Sequence, residues 1–249
     1  MQVSKAAASS WASVLIDHAL NQTAHARTDA RGVHNGLKVA ANISLTGAWL
    51  DEFSGYTKLL VVRHPVDRMI SCYYNVKRFV EGAGMHGPGG EVRRAIKAAF
   101  QLHQLSDLTL RQFVQFITNK TLSGKHYDDR HFNSYSRTCR VCDVTYDHVL
   151  RVETMERDAR PIVEKLGFSA EYISAMKLSD NTRVTTPTDK VVTSSRGVSK
   201  FLPELAELDG SLMELVLQRY QWDMRLFGYH MDVVTNVASC LLSPKYDCA

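Results

Sequence analysis

The segment Lys58 to Asn75 constrains the fold more than any other part of the chain, because it joins a short apolar strand to a helix with an arginine at the junction. Leu59 to Val62 is an apolar run of strand length and β-branched character, and Arg63 and His64 fall in the turn that follows. Pro65 stands where a helix takes its first residue, lacking an N–H that would be orphaned there. Beyond it, Val66, Met69, Ile70, Tyr73, Val76 and Val80 recur at helical spacing as an apolar stripe, and Asp67, Arg68, Ser71 and Asn75 fall on another face. A helix start offers unpaired N–H groups and the positive end of a dipole, so a phosphate or sulfate there meets backbone donors and a guanidinium together. Strand, turn and proline-led helix also recur widely in α/β proteins, where Arg63 would be a solvated neighbour of the cap and Ser71 a neutral helix residue.

A second segment, Ser4-Lys5-Ala6-Ala7-Ala8-Ser9-Ser10-Trp11, leads into Val14, Leu15, His18 and Ala19 at helical spacing. Its small residues let backbone amides wrap closely round a phosphate as a helix begins, with Lys5 as a point charge and Ser9 or Ser10 as a hydroxyl donor. The Gly-x-x-x-x-Gly-Lys spacing of a Walker A loop is absent.

Together the two segments resemble the Golgi carbohydrate sulfotransferases, the family of the chondroitin, dermatan and related glycan sulfotransferases. Three later stretches are similar to that family in the same order: His131-Phe132 with Cys139-x2-Cys142; Tyr146-Asp147 through Glu153-Thr154 to Asp158; and Tyr220-x-Trp222-Asp223 to Phe227-Gly228-Tyr229. The resemblance implies an α/β, P-loop-like three-layer fold with a central parallel sheet flanked by helices. It implies a sulfo donor, 3′-phosphoadenosine 5′-phosphosulfate (PAPS), a glycan acceptor and no metal. Lys5, Ala6, Ala7, Ala8, Ser9, Ser10 and Trp11 would bind the 5′-phosphosulfate, and Arg63 and Ser71 the 3′-phosphate. Three positions depart from the family pattern: Ser4 for proline, Val66 for phenylalanine and Phe132 for tryptophan, all packing changes. The family has a first strand, a stem and a membrane anchor ahead of its lysine segment, so a clipped first strand and a missing anchor are the expectation here, with residues 1–230 as the catalytic domain and 231–249 as a tail.

Sulfo transfer is in-line attack of a sugar hydroxyl on sulfur, in which positioning and charge stabilisation do most of the work. Lys5 is the candidate to neutralise charge on the leaving phosphate, and a base must take the acceptor proton. Among ten histidines His131 has the strongest claim, since it sits in the segment similar to the family's His-Trp; His64 is the alternative, although its turn position suggests capping. Glu153 is a candidate to orient the acceptor or to serve as a buried ion-pair partner.

Composition agrees with a globular catalytic domain. The 249 residues are 45% hydrophobic, enough for a sizeable core, and a formal charge of +4 suits an anionic cofactor and a polyanionic glycan. No basic run with interleaved aromatics suggests nucleic acid, and no apolar stretch of membrane-spanning length or signal-peptide pattern occurs, so the chain as given is expected to be soluble, with Golgi lumenal residence following from the resemblance. Of five cysteines, Cys139 and Cys142 are the expected partners in a disulfide, to each other or elsewhere, since half a zinc site has no second pair to complete it. Asn21-Gln-Thr, Asn42-Ile-Ser and Asn119-Lys-Thr are glycosylation sequons.

The remaining pattern predicts a strand at Leu37–Leu45, a glycine-rich loop at Gly82–Gly90 and a helix at Glu91–His103. It further predicts a Thr109-capped helix burying Leu110, Phe113, Phe116 and Ile117, a strand at Asp147–Val152, a helix from Glu153 to Leu166 ended by Gly167, and a helix at Ser211–Phe227 burying Leu212, Leu215, Val216 and Tyr220. Strands alternating with helices argue for a parallel sheet covered on both faces. Two other functions share these features: a nucleotide kinase of P-loop-like fold, which lacks here its Gly-Lys-Ser/Thr spacing, and an inactive module that binds 3′-phosphoadenosine 5′-phosphate (PAP) or a glycan.

Overall fold

A computed structural model of the chain describes residues 55, 57–78, 88–168, 205 and 207–229. These fall into two compact units, one drawn from residues 1–62 and 144–195 and the other from 63–143 and 196–249.

In the first unit, β1 (Leu59–Val62) lies parallel to β2 (His148–Arg151), with Leu59 opposite His148 and Val62 opposite Arg151. Leu60, Val61 and Val62 are all buried, the continuous apolar pattern of a strand covered on both faces. In β2 only Leu150 is fully buried, and Val149 is 45% exposed. The strand starts are clipped together: the Lys58 amide donates to Asp147 Oδ2 at 2.6 Å and the Asp147 amide to the Lys58 carbonyl at 2.9 Å. A 3-10 turn over Val152–Thr154 follows, so the helix predicted from Glu153 begins two residues later, as α6 (Met155–Lys165). Met155, Ala159 and Val163 are buried at i, i+4 and i+8, which puts this helix face on the unit's core. Gly167 ends it at φ +81°, a conformation that a Cβ would strain.

The second unit is helical. Among the described residues it holds, in chain order, α1 (Pro65–Lys77), α2 (Pro88–Ala99), α3 (Leu110–Thr118), α4 (Lys120–Ser123), α5 (Tyr135–Thr138) and α7 (Gly210–Phe227). The predicted stripe of α1 is in place, with Val66, Met69, Ile70, Tyr73 and Val76 buried, and Val80 lies outside the described residues. The expected polar face is not: Asp67 and Arg68 are buried at 3% and 0% exposure, for the reason given below. Pro88 to Gly90, expected as loop, form the first turn of α2, where a leading proline costs no hydrogen bond. Thr109 caps α3 as predicted, its hydroxyl accepting from the Gln112 amide while the Gln112 side chain accepts the Thr109 amide at 3.0 Å.

The core joins the α1 stripe, Phe113, Phe116 and Ile117 of α3, Phe132 and the inner face of α7. Phe113 meets Phe132 edge to face at 6.1 Å, and the Tyr73 hydroxyl reaches the core's rim to donate to the Leu108 carbonyl at 3.1 Å. In α7, Leu212, Met213, Val216, Tyr220, Asp223, Met224 and Phe227 are buried, whereas Leu215, predicted inside, is 40% exposed. The apolar face thus runs through residues 212, 216, 220, 223 and 227, and Leu215 lies outside that stripe. Asp209 caps α7, accepting the Leu212 amide at 2.9 Å and pairing with Arg111 at 2.5 Å. The Leu37–Leu45 strand lies outside the described residues, and the described sheet is a parallel pair.

Candidate functional site

Arg63 follows the last residue of β1 and precedes the N-cap of α1 by one position. It is half-buried, and a single side chain engages both of its main-chain groups. The Arg63 N–H donates to Tyr135 Oη at 2.9 Å, and the Tyr135 O–H donates to the Arg63 carbonyl at 3.3 Å. His64 takes extended geometry, φ −47° and ψ 123°, as a residue ahead of proline must. Its ring makes no capping bond, but packs edge-on against Tyr229 with centroids 5.1 Å apart, so the capping role suggested for it is replaced by a buried aromatic contact. Ser71 lies six residues past Pro65, about 9 Å along the helix axis. A phosphate shared by Arg63 and Ser71 would therefore lie along the flank of α1 rather than at its tip.

His131 sits on the segment that leads into α5. Its Nδ1 lies 2.6 Å from Asp129 Oδ1, and the same oxygen accepts the His131 amide at 2.9 Å. A carboxylate can only accept, so the proton of a neutral imidazole resides on Nδ1 and Nε2 keeps the basic lone pair. Burial alone would raise the Asp129 carboxyl, but the hydrogen bonds from His131 outweigh it and hold the group below its ordinary range. The His131 side chain is 28% exposed and that of Asp129 14%, a partly open imidazole on a mostly covered carboxylate. Aspartate two residues before a histidine is the signal in the sequence that points to this pair, and spacing rules alone do not single it out.

Three buried side chains pin the segment around His131. The Tyr220 hydroxyl donates to the Phe132 carbonyl at 2.6 Å, Arg68 Nη2 donates to the Asn133 carbonyl, and Asp223 accepts the amides of Tyr135 and Ser136 at 2.8 and 3.0 Å. The Arg68 guanidinium also lies 4.1 Å from the Tyr135 ring centroid. Burial works against its charge, yet the surrounding Tyr135, Tyr220 and Asp223 more than offset that and raise its pKa. Burial likewise pushes the Asp223 carboxyl up, against the pull of Tyr135, Arg68 and Ser136. Arg68 is buried because it has this work to do, which the helical periodicity of α1 does not reveal.

A profile described as the sulfotransferase family matches residues 1–230. The chain belongs to the sulfotransferase family. It is 27% identical to carbohydrate sulfotransferase 11 of Mus musculus over 179 residues, 70% of this chain and 47% of that relative. Carbohydrate sulfotransferase 8 of Homo sapiens is 30% identical over 167 residues, 64% of this chain and 38% of the relative. Carbohydrate sulfotransferase 9 of Homo sapiens is 25% identical over 237 residues, 92% of this chain and 50% of the relative. The chain thus spans about half, or less, of the length of these relatives. No solved structure matches. Membership implies the PAPS-binding sulfotransferase fold, and the described residues of this chain are mostly helical with a small parallel sheet.

Within the second unit, the structure brings the Arg63 turn and the His131 segment together through Tyr135, across 72 residues of sequence. Ser71 is half-buried on α1, and Lys5 with Ala6 to Trp11 lies outside the described residues. Glu153 falls in the 3-10 turn after β2, half-buried, in the other unit. Cys139 is buried and Cys142 exposed, and no disulfide joins them to each other. Cys139 Sγ lies at the C-cap of α5 inside the Arg68–Asp223 environment, and burial pushes its thiol up to about 12. Among the described residues no helix is long and apolar enough to cross a membrane, and no cluster of potential metal ligands occurs.

Proposed function

We propose that this chain is the catalytic part of a carbohydrate sulfotransferase that moves the sulfo group of PAPS to a glycan hydroxyl. Its relatives are named carbohydrate sulfotransferases, which supports a glycan acceptor. The observation that carries the reading is the Asp129–His131 pair, on a segment tied to the arginine turn expected to hold the nucleotide. An acceptor hydroxyl needs a base, and a neutral His131 that bonds Asp129 through Nδ1 offers Nε2 for that role. Family membership sets the nucleotide kinase aside.

In this reading residues 1–230 form a three-layer, P-loop-like domain with a central parallel sheet, and 231–249 are a tail. Arg63 and Ser71 hold the 3′-phosphate of PAPS, and Lys5, with the amides and hydroxyls of Ala6 to Ser10 and the Trp11 ring, holds the 5′-phosphosulfate. The acceptor oxygen attacks sulfur in line as its proton passes to His131 Nε2. The sulfur–oxygen bond to the leaving phosphate breaks, and Lys5 stabilises the charge that appears there. The enzyme works as a Golgi lumenal glycoprotein held by a membrane anchor. Incubation with radiolabelled PAPS and desulfated chondroitin, dermatan, heparan and N-glycan acceptors tests the proposal. Label enters at least one acceptor, and His131→Ala lowers kcat about 10²- to 10⁴-fold with PAP affinity retained. A PAP-binding protein that labels none of them is a binding module instead.

A further inference from the structure

Arg63 lies one residue beyond the β1 ladder, where neither its N–H nor its carbonyl has a strand partner in the pairing that ends at Val62. Pro65 restricts the backbone on its far side. Tyr135 supplies what the ladder does not: one hydroxyl accepts the Arg63 amide at 2.9 Å and donates to the Arg63 carbonyl at 3.3 Å. That hydroxyl is itself rigidly placed. Tyr135 is fully buried, its ring lies between the Arg68 guanidinium at 4.1 Å and Phe227 at 5.6 Å, and its amide is held by Asp223 at 2.8 Å. Burial raises the phenol well above its ordinary range, so the proton it gives to the Arg63 carbonyl stays in place at neutral pH.

A guanidinium on a four-bond stem recognises a phosphate with geometric selectivity only when its Cα–Cβ vector is fixed, because every degree of backbone freedom is magnified at the far end. We infer that Tyr135 is a positioning residue for nucleotide selection, its hydroxyl fixing the Arg63 main chain so that the Arg63 side chain discriminates a 3′-phosphorylated adenine nucleotide from one that lacks the 3′-phosphate. The inference rests on the assignment of Arg63 to the 3′-phosphate in the proposed function. Asp223 on α7 stands behind Tyr135 as its anchor, which links the last helix of the unit to the nucleotide turn.

Tyr135→Phe removes the hydroxyl and keeps the ring on Arg68 and Phe227. Calorimetry on the full chain should show PAP affinity falling about three- to tenfold, the range of one or two neutral hydrogen bonds, with 5′-AMP affinity unchanged and the KM for PAPS rising while kcat holds. In an Arg63→Ala background the same change should cost nothing further in PAP affinity. An unaltered PAP to 5′-AMP ratio in Tyr135→Phe, or an equal loss in both backgrounds, overturns the inference while leaving Arg63 in its role. Equal affinities of the wild-type chain for the two nucleotides overturn the Arg63 assignment, and the inference with it. Amide exchange at Arg63 in the wild-type chain gives a test independent of any variant: a protected amide supports the bracket, and exchange at the rate of an open loop overturns it.

Discussion

Asp223 accepts the amides of Tyr135 and Ser136 at 2.8 and 3.0 Å, a carboxylate of the last helix holding a turn 88 residues earlier in the chain. It does so inside the core, where a bare carboxylate is costly, and the compensation comes from two backbone N–H donors and from the buried charge of Arg68. Arg68 in turn holds the Asn133 carbonyl, so the segment carrying His131 is fixed from α1 and from α7 at once.

Removing either charge strands the other. Asp223→Ala is expected to cost about 3 kcal/mol or more, since it orphans two amides and leaves Arg68 uncompensated, and Arg68→Met a similar amount. The double variant should cost less than the sum of the two. Urea unfolding of the single and double variants checks this, and strict additivity would show that the two charges do not interact.

Stability should change with pH in opposite senses at two carboxylates. Asp129 has a folded pKa below its ordinary 3.8, so its contribution is present above that value and lost as pH falls through the depressed one. Asp223 has a folded pKa above 3.8, so its contribution is complete below that value and lost as pH rises through the elevated one. Melting temperatures followed from about pH 3 to pH 8 should therefore lose part of the acid limb in Asp129→Asn and part of the decline at rising pH in Asp223→Asn. Parallel curves for the wild type and both variants contradict the assignment.

Lys5 and Arg63 divide transition-state and ground-state work in the proposed site. Lys5→Ala should lower kcat far more than PAP affinity, and Arg63→Ala should weaken PAP binding by about 1.5–3 kcal/mol with a smaller effect on kcat. Single-turnover rates and PAP dissociation constants separate the two, and identical profiles refute the division.

Asn119 combines a helix cap with the acceptor position of a sequon, and substitution can test the two separately. It is exposed at the junction of α3 and α4, and its Oδ1 accepts the Leu122 amide at 3.1 Å as an N-cap, which leaves Nδ2 for the glycan of the Asn119-Lys-Thr sequon. Asn119→Asp should reduce the glycosidase-sensitive gel shift by one glycan with stability nearly unchanged, and Asn119→Ala should give the same reduction and cost about 1 kcal/mol. An Asn119→Ala variant as stable as the wild type removes the capping role, and a glycosidase shift equal in wild type and variant removes the glycan at Asn119.

Elements whose cause is local are legible in the sequence itself. The β1 run, the proline that opens α1, the Thr109 cap and Gly167 at φ +81° each depend on residues within a few positions of one another, and they stand where periodicity and capping rules put them. Arg63, Ser71 and His131 can be named for the same reason, as short motifs that a family resemblance puts in order. What the sequence does not show is which polar residues turn inward, because burial of a charge is decided by partners far away in the chain. Asp67 and Arg68 fall on a face apart from the apolar stripe by helical spacing, yet Arg68 is buried against Asn133 and Tyr135, some 65 residues on. Leu215 reads as core, and only the packing of α7 shows that the inward stripe passes it by in favour of Asp223. The Tyr135 bracket on Arg63 is of the same kind: a hydroxyl has no periodicity to betray it, and its role exists only once the tertiary fold carries it to the backbone just past the last rung of the strand ladder.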